Sequence, residues 1–149
     1  KNGVNIDFIG KKGVQNKCKI IDQKMKKNLR TKKKEYKKNQ RIFTYQKDGE
    51  IYEIKSTDVN EYLGEYTTKN FRTWSANILL IQDLLKNKDK VTKSIEIVAE
   101  KLHHTPSICK KNYIDPKLVE YYEHDPDKFN KFFKGDINKR FTEFLEKNY

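Results

Sequence analysis

The sequence predicts an α+β fold, mostly α-helical, with a small antiparallel β-hairpin region near the N-terminus. Three observations predict it. Short alternating apolar runs flank glycine-containing turns before Ser56, a lysine-dense stretch between them carries apolar residues at helical spacing, and from Ser56 onward apolar residues recur every three or four positions behind capping residues.

Val4, Ile6 and Phe8 alternate with Asn5, Asp7 and Ile9, and Gly10-Lys11-Lys12-Gly13 separates them from a second run, Val14 to Ile21. The pair reads as a hairpin with a glycine- and lysine-rich tip. From Lys24 to Arg41 ten of eighteen residues are Lys or Arg, interleaved with Met25, Leu29 and Tyr36, the pattern of a basic helix with a thin apolar stripe. Ile42 to Tyr45 and Ile51 to Ile54, joined across Asp48-Gly49, form a second short hairpin. Ser56 is placed to cap a helix through Val59, Tyr62 and Leu63. Thr67 or Thr68 caps a longer one with Phe71, Trp74, Ile78, Ile81 and Leu85 inward. A third helix runs from Val91 to Leu102, with Ile95, Val98 and Leu102 inward. Thr105-Pro106 then starts a short helix, with proline in the first turn, where its missing N–H costs least. The tail from Pro116 holds two more helical patterns, one around Leu118, Val119, Tyr122, Phe129 and Phe132, the other around Phe141, Phe144 and Leu145.

The length of 149 residues and a 35% hydrophobic content suit a single domain, residues 1–149. Thirty-three Lys and Arg against twenty-one Asp and Glu leave a formal charge of +12, which points to a polyanionic partner. A membrane is the weaker choice of partner and none is expected, since no apolar stretch approaches the roughly 20 residues that span a bilayer. Cys18 and Cys109 stand far apart with no metal-ligand spacing, so no disulfide framework and no metal site is expected, and a reducing compartment fits. Lys1 is the first residue and strand character starts at Gly3, so the chain is expected to be a fragment whose N-terminal part is missing.

Four segments carry groups suited to phosphoryl transfer: Lys11 in the hairpin tip, Lys69 and Arg72 on one helix, His104 before Pro106, and Tyr113 nine residues after His104. Each alone has a blander reading. A turn lysine is usually solvated, an arginine on an amphipathic helix usually pairs at the surface, and histidine at a helix start or one tyrosine among nine is usually structural.

Their surroundings are more specific. Asp58-Val59-Asn60-Glu61-Tyr62-Leu63, Thr68-Lys69-Asn70-Phe71-Arg72-Thr73-Trp74 and His104-Thr105-Pro106-Ser107-Ile108-Cys109-Lys110-Lys111-Asn112-Tyr113 resemble, in this order, the catalytic core of poxvirus-like and bacterial type IB DNA topoisomerases, and Phe8-Ile9-Gly10-Lys11 resembles the hairpin carrying that family's catalytic lysine. The resemblance covers roughly residues 8–116. It implies the topoisomerase IB/tyrosine-recombinase-like fold and a C-terminal catalytic portion, with the N-terminal clamp domain and first part of the catalytic domain missing. It also implies relaxation of supercoiled double-stranded DNA through a 3′-phosphotyrosyl intermediate, with no ATP, metal or other cofactor, by a monomer that clamps DNA together with its N-terminal domain.

By position, Tyr113 is the implied nucleophile, Arg72 and His104 bind non-bridging phosphate oxygens, and Lys11 protonates the leaving 5′-oxygen. Lys69, three residues before Arg72, supports from the same helix face. Lys12, Lys110 and Lys111 are expected to contact the DNA backbone, as is the stretch from Lys24 to Arg41. Two departures stand out. The family's further arginine lies upstream of the lysine hairpin, before this chain starts, so the chain alone is expected to be weakly active. His103 stands where the family pattern usually has glycine; a histidine can adopt a left-handed conformation at a helix end, at some cost, so this departure is expected to alter stability more than function.

Two other readings compete. A tyrosine recombinase combines the same residue types, but typically shows His-x-x-Arg where this chain has Lys69-Asn70-Phe71-Arg72. A non-catalytic basic DNA-binding domain needs no reactive tyrosine. The complete set of Lys11, Arg72, His104 and Tyr113 speaks against it.

Overall fold

A computed structural model describes residues 3–10, 13, 15–35, 41–87 and 90–149. They divide into two compact units, Lys1–Val59 and Asn60–Tyr149. Among the described residues are two antiparallel hairpins and eight helices, so the α+β, mainly helical class read from the sequence is the one observed.

In the first unit, β1 (Val4–Ile9) pairs with β2 (Gln15–Ile20), Val4 facing Ile20 and Ile9 facing Gln15. The Gly13 N–H donates to the Gly10 carbonyl at the hairpin end. Lys11, Lys12 and Val14 lie outside the described residues. Asp22 starts α1 (Gln23–Glu35), its carboxylate accepting the Met25 N–H at 2.7 Å. Lys32, Lys33 and Lys34 occupy the last turn, where the helix dipole favours cations. The basic helix was expected to reach Arg41, but Arg41 is in no helix and its guanidinium lies 3.3 Å from Glu53 of the next hairpin; Tyr36 to Gln40 lie outside the described residues. The second hairpin joins β3 (Thr44–Lys47) to β4 (Glu50–Glu53). Asp48 (φ 52°) and Gly49 (φ 85°) give the two successive left-handed residues of a type I′ turn, whose twist matches that of the strands. Tyr45 and Tyr52 sit opposite each other and stack at 5.4 Å, a cross-strand aromatic pair.

Helix α2 (Ser56–Tyr62) begins one residue earlier than a Ser56 cap requires. Asp58 reaches back to accept the Lys55 N–H at 2.8 Å, so Lys55 holds the capping position.

In the second unit, α3 (Thr68–Asn87) is capped by Thr67: its hydroxyl oxygen accepts the Asn70 N–H, and the Asn70 side chain accepts the Thr67 N–H at 2.8 Å. The buried stripe of α3 begins at Ala76, so Phe71 in its first turn, expected inward, is 52% exposed and packs edge-on against Tyr66. α4 (Val91–Lys101) and α5 (Pro106–Tyr113) pack on α3 through Ile95, Val98 and Cys109. α6 (Pro116–His124), α7 (Pro126–Phe132) and α8 (Ile137–Asn148) close the core with Leu118, Phe129, Phe133, Phe141 and Phe144. Each fully buried apolar side chain of this size contributes about 1.5–3 kcal/mol.

The first tail pattern, read as one helix, is two. Asp125 (φ −151°, ψ 87°) precedes Pro126, and a residue before proline is pushed out of the helical region. The break rotates Phe133 rather than Phe132 fully inward. All three prolines, Pro106, Pro116 and Pro126, stand at helix starts behind Thr105, Asp115 and Asp125, whose side chains accept N–H groups of the first turn.

Candidate active site

Three of the residues picked out by sequence converge on one short turn, between α4 and α5. Leu102 ends α4, and His103 follows with φ 56°. The His103 N–H donates to the Glu100 carbonyl at 3.1 Å and the His104 N–H to the Ala99 carbonyl at 2.8 Å, the paired bonds of a Schellman motif. A left-handed residue at this point is what reverses the chain, and for a residue with a Cβ it costs about 1–2 kcal/mol. The reversal sets His104 just ahead of α5, and two helical turns later Tyr113 returns to it: their rings stack with centroids 4.7 Å apart and planes 11° from parallel.

Arg72 comes to the same turn from α3. Its Nη2 donates to the Leu102 carbonyl at 3.0 Å. A guanidinium has five N–H donors in a planar fork, so this bond fixes its position and leaves most of the fork free for a ligand. The His104 imidazole feels the arrangement. Burial first, then the positive charges of Arg72 and His103, hold it below the usual histidine range, so at neutral pH the free site carries a neutral ring. The buried His104 Nε2 has no hydrogen-bond partner among the described residues.

Tyr113 is half-buried and also borders a cavity of about 590 Å³, walled by Tyr66, Asn70, Trp74, Lys111 and Phe141 among others. Arg72 and His104 are not among its walls. Arg72 and His104 therefore meet at the α4–α5 turn, outside the hollow, to whose wall Lys111 contributes. Lys69 is exposed one turn before Arg72, and Lys110 and Lys111 are exposed on α5 beside Tyr113. Lys11 and Lys12, expected from the hairpin tip, lie outside the described residues.

One residue of the site was missed from sequence. Asn77 is 2% exposed on α3; its amide donates to the Thr73 and Tyr113 carbonyls, both at 2.9 Å, and its carbonyl accepts the Asp115 N–H at 2.8 Å. It clasps the end of α5 to the helix that carries Arg72. The available signal was a polar residue on the inward stripe, with Leu80, Ile81 and Leu84 at the following helical positions. Asn77→Ala leaves the Tyr113 carbonyl and the Asp115 N–H without this partner and is expected to cost about 3 kcal/mol. Urea unfolding measures it; an unchanged midpoint would show that the amide does not hold the turn.

Comparison with known families now bears on this grouping. The family model described as "Eukaryotic DNA topoisomerase I, catalytic core" matches residues 1–136. The chain belongs to the DNA topoisomerase I catalytic-core family. It is also 32% identical over 111 residues to the DNA topoisomerase 1B of Acanthamoeba polyphaga mimivirus, an overlap covering 60% of this chain and 33% of that relative. The chain thus spans about a third of the length of the curated relative it matches. The type IB topoisomerase resemblance carried by the motifs from Phe8 to Tyr113 agrees with both matches. Among the described residues of this topoisomerase-family chain, no helix is long and apolar enough to cross a membrane.

Proposed function

We propose that the protein is a type IB DNA topoisomerase that relaxes supercoiled double-stranded DNA by transient cleavage of one strand. The grouping of Arg72, His104 and Tyr113 at the α4–α5 turn is the observation that supports this most. In this reading the Tyr113 hydroxyl attacks a backbone phosphorus in line and gives up its proton to solvent, while the bond from phosphorus to the 5′-oxygen breaks. The product is a 3′-phosphotyrosyl link and a 5′-hydroxyl, protonated by Lys11. The nicked duplex swivels, and the 5′-hydroxyl attacks back. Because the covalent link conserves the energy of the broken bond, no ATP and no metal enter the scheme.

Arg72 supplies a fork of donors to two non-bridging oxygens, and His104 a hydrogen bond to one of them, where charge gathers as phosphorus becomes five-coordinate. Lys69, Lys110 and Lys111 add backbone contacts, and so does α1 with its run of lysines. The chain serves as the catalytic region of a monomer that grips the duplex together with an N-terminal domain. The free thiols of Cys18 and Cys109 suit a reducing, DNA-containing compartment.

Incubation of the full-length protein with supercoiled plasmid in EDTA tests the reading. Relaxation without site-specific exchange is expected; exchange between paired sites would make the protein a recombinase, and binding without any covalent adduct would make it a non-catalytic DNA-binding module. Lys11→Ala is expected to slow cleavage about 10²–10⁴-fold. A substrate whose leaving 5′-oxygen is replaced by sulfur, which needs no protonation, restores the rate if Lys11 is the acid and does not if it acts otherwise.

A further inference from the structure

We infer that His103 is an additional contact to the DNA backbone, binding a phosphate oxygen through its imidazole beside the phosphate held by Arg72 and His104. The inference rests on the reading of this turn as a phosphate site. It starts from a strained residue: His103 is left-handed, a conformation glycine adopts without penalty, yet it carries an exposed ring. Both Schellman bonds fix the main chain that carries that ring, and the next carbonyl back, Leu102, holds the Arg72 guanidinium. His103 and Arg72 are the two positive neighbours that act on the His104 imidazole. Three side chains able to carry positive charge therefore crowd one turn. In the absence of an anion such crowding is unfavourable; a backbone phosphate turns it into binding.

The charged groups around His103 are few. α3 brings Arg72, with Lys69 one turn before it, α4 ends in Glu100 and Lys101, and the first turn of α5, Pro106 to Cys109, carries no charged side chain. A histidine side chain gains its charge as pH falls below neutrality. Protonated, it donates from both nitrogens. DNA binding at this turn should then release more counterions at low pH than at high pH.

Salt titrations of duplex DNA binding by the full-length protein, at pH 6 and pH 8, test this. Each added phosphate contact steepens the slope of log affinity against log salt by about 0.9. To separate the two rings, the comparison is made in a His104→Asn background. That variant is expected to keep a steepening of about 0.9 between pH 8 and pH 6, and adding His103→Gly is expected to remove it. A rise in melting temperature with His103→Gly, because glycine takes the turn without strain, would show that the double variant is folded. Persistence of the steepening in the double variant would overturn the inference and assign it to groups other than His103. Failure of the underlying reading looks different: Arg72→Ala would then leave affinity and slope unchanged at both pH values.

Discussion

Tyr113→Phe in the full-length protein is expected to abolish covalent attachment to DNA while leaving non-covalent binding at the wild-type level. The substitution removes only the hydroxyl. The ring that stacks on His104 at 4.7 Å and borders the cavity stays in place, and so does the Asn77 bond to the residue 113 carbonyl. Loss of one half-exposed hydroxyl should cost about 0.5 kcal/mol of stability or less. A gel-shift titration and a covalent-trapping assay on a nicked substrate separate the two properties. Adduct formation by the phenylalanine variant would remove Tyr113 from the chemistry, and lost binding with intact folding would make its hydroxyl a DNA contact instead.

The second large effect is expected at Arg72. Its guanidinium is held to the Leu102 carbonyl by a single bond, so the donors that remain are preorganised before DNA arrives. Removing such a donor set from a developing oxyanion slows a reaction by about 10²–10³-fold. Arg72→Ala should therefore slow single-turnover cleavage by about that factor. Arg72→Lys should recover little of it, because an ammonium offers a point charge and no planar fork. Full recovery with lysine would mean that charge alone is needed at this position, and that the Leu102 bond orients nothing of consequence.

Much of the fold was legible because its determinants are local. Asp48-Gly49 specifies a hairpin through the left-handed conformations that these two residues tolerate, and the second hairpin is centred there. Thr105-Pro106 carries a cap and a preorganised first turn in two residues, and α5 starts at Pro106. His103 was legible only through the resemblance, as a histidine in place of the family's glycine that can take the left-handed conformation it shows. The misreadings arise where a local preference and a longer pattern disagree. Apolar spacing continues from Tyr122 to Phe132 as though one helix ran through, whereas Pro126 breaks it. Phe71 fits the apolar stripe of α3 but lies in a turn that precedes the buried part of the helix.

The site divides along the same line. His104 and Tyr113 belong to one contiguous string, so their approach across a single short helix could be anticipated. The bonds from Arg72 to Leu102 and from Asn77 to Tyr113 and Asp115 could not. They join side chains to backbone atoms thirty or more residues away, and a carbonyl or N–H has no residue identity to read. The apolar environment that makes the Asn77 clasp effective is likewise a product of packing, visible only once α5 lies on α3.

The central proposition is that the phenolic oxygen of residue 113 becomes bonded to DNA. Its most direct test is to trap the full-length protein on a nicked duplex that cannot religate, digest protein and DNA, and map the modified peptide by mass spectrometry. The expected product is the peptide spanning residues 112–117 with a nucleotide joined to Tyr113 through its 3′-phosphate. A nucleotide on any other tyrosine, or one joined through its 5′-phosphate, would contradict it.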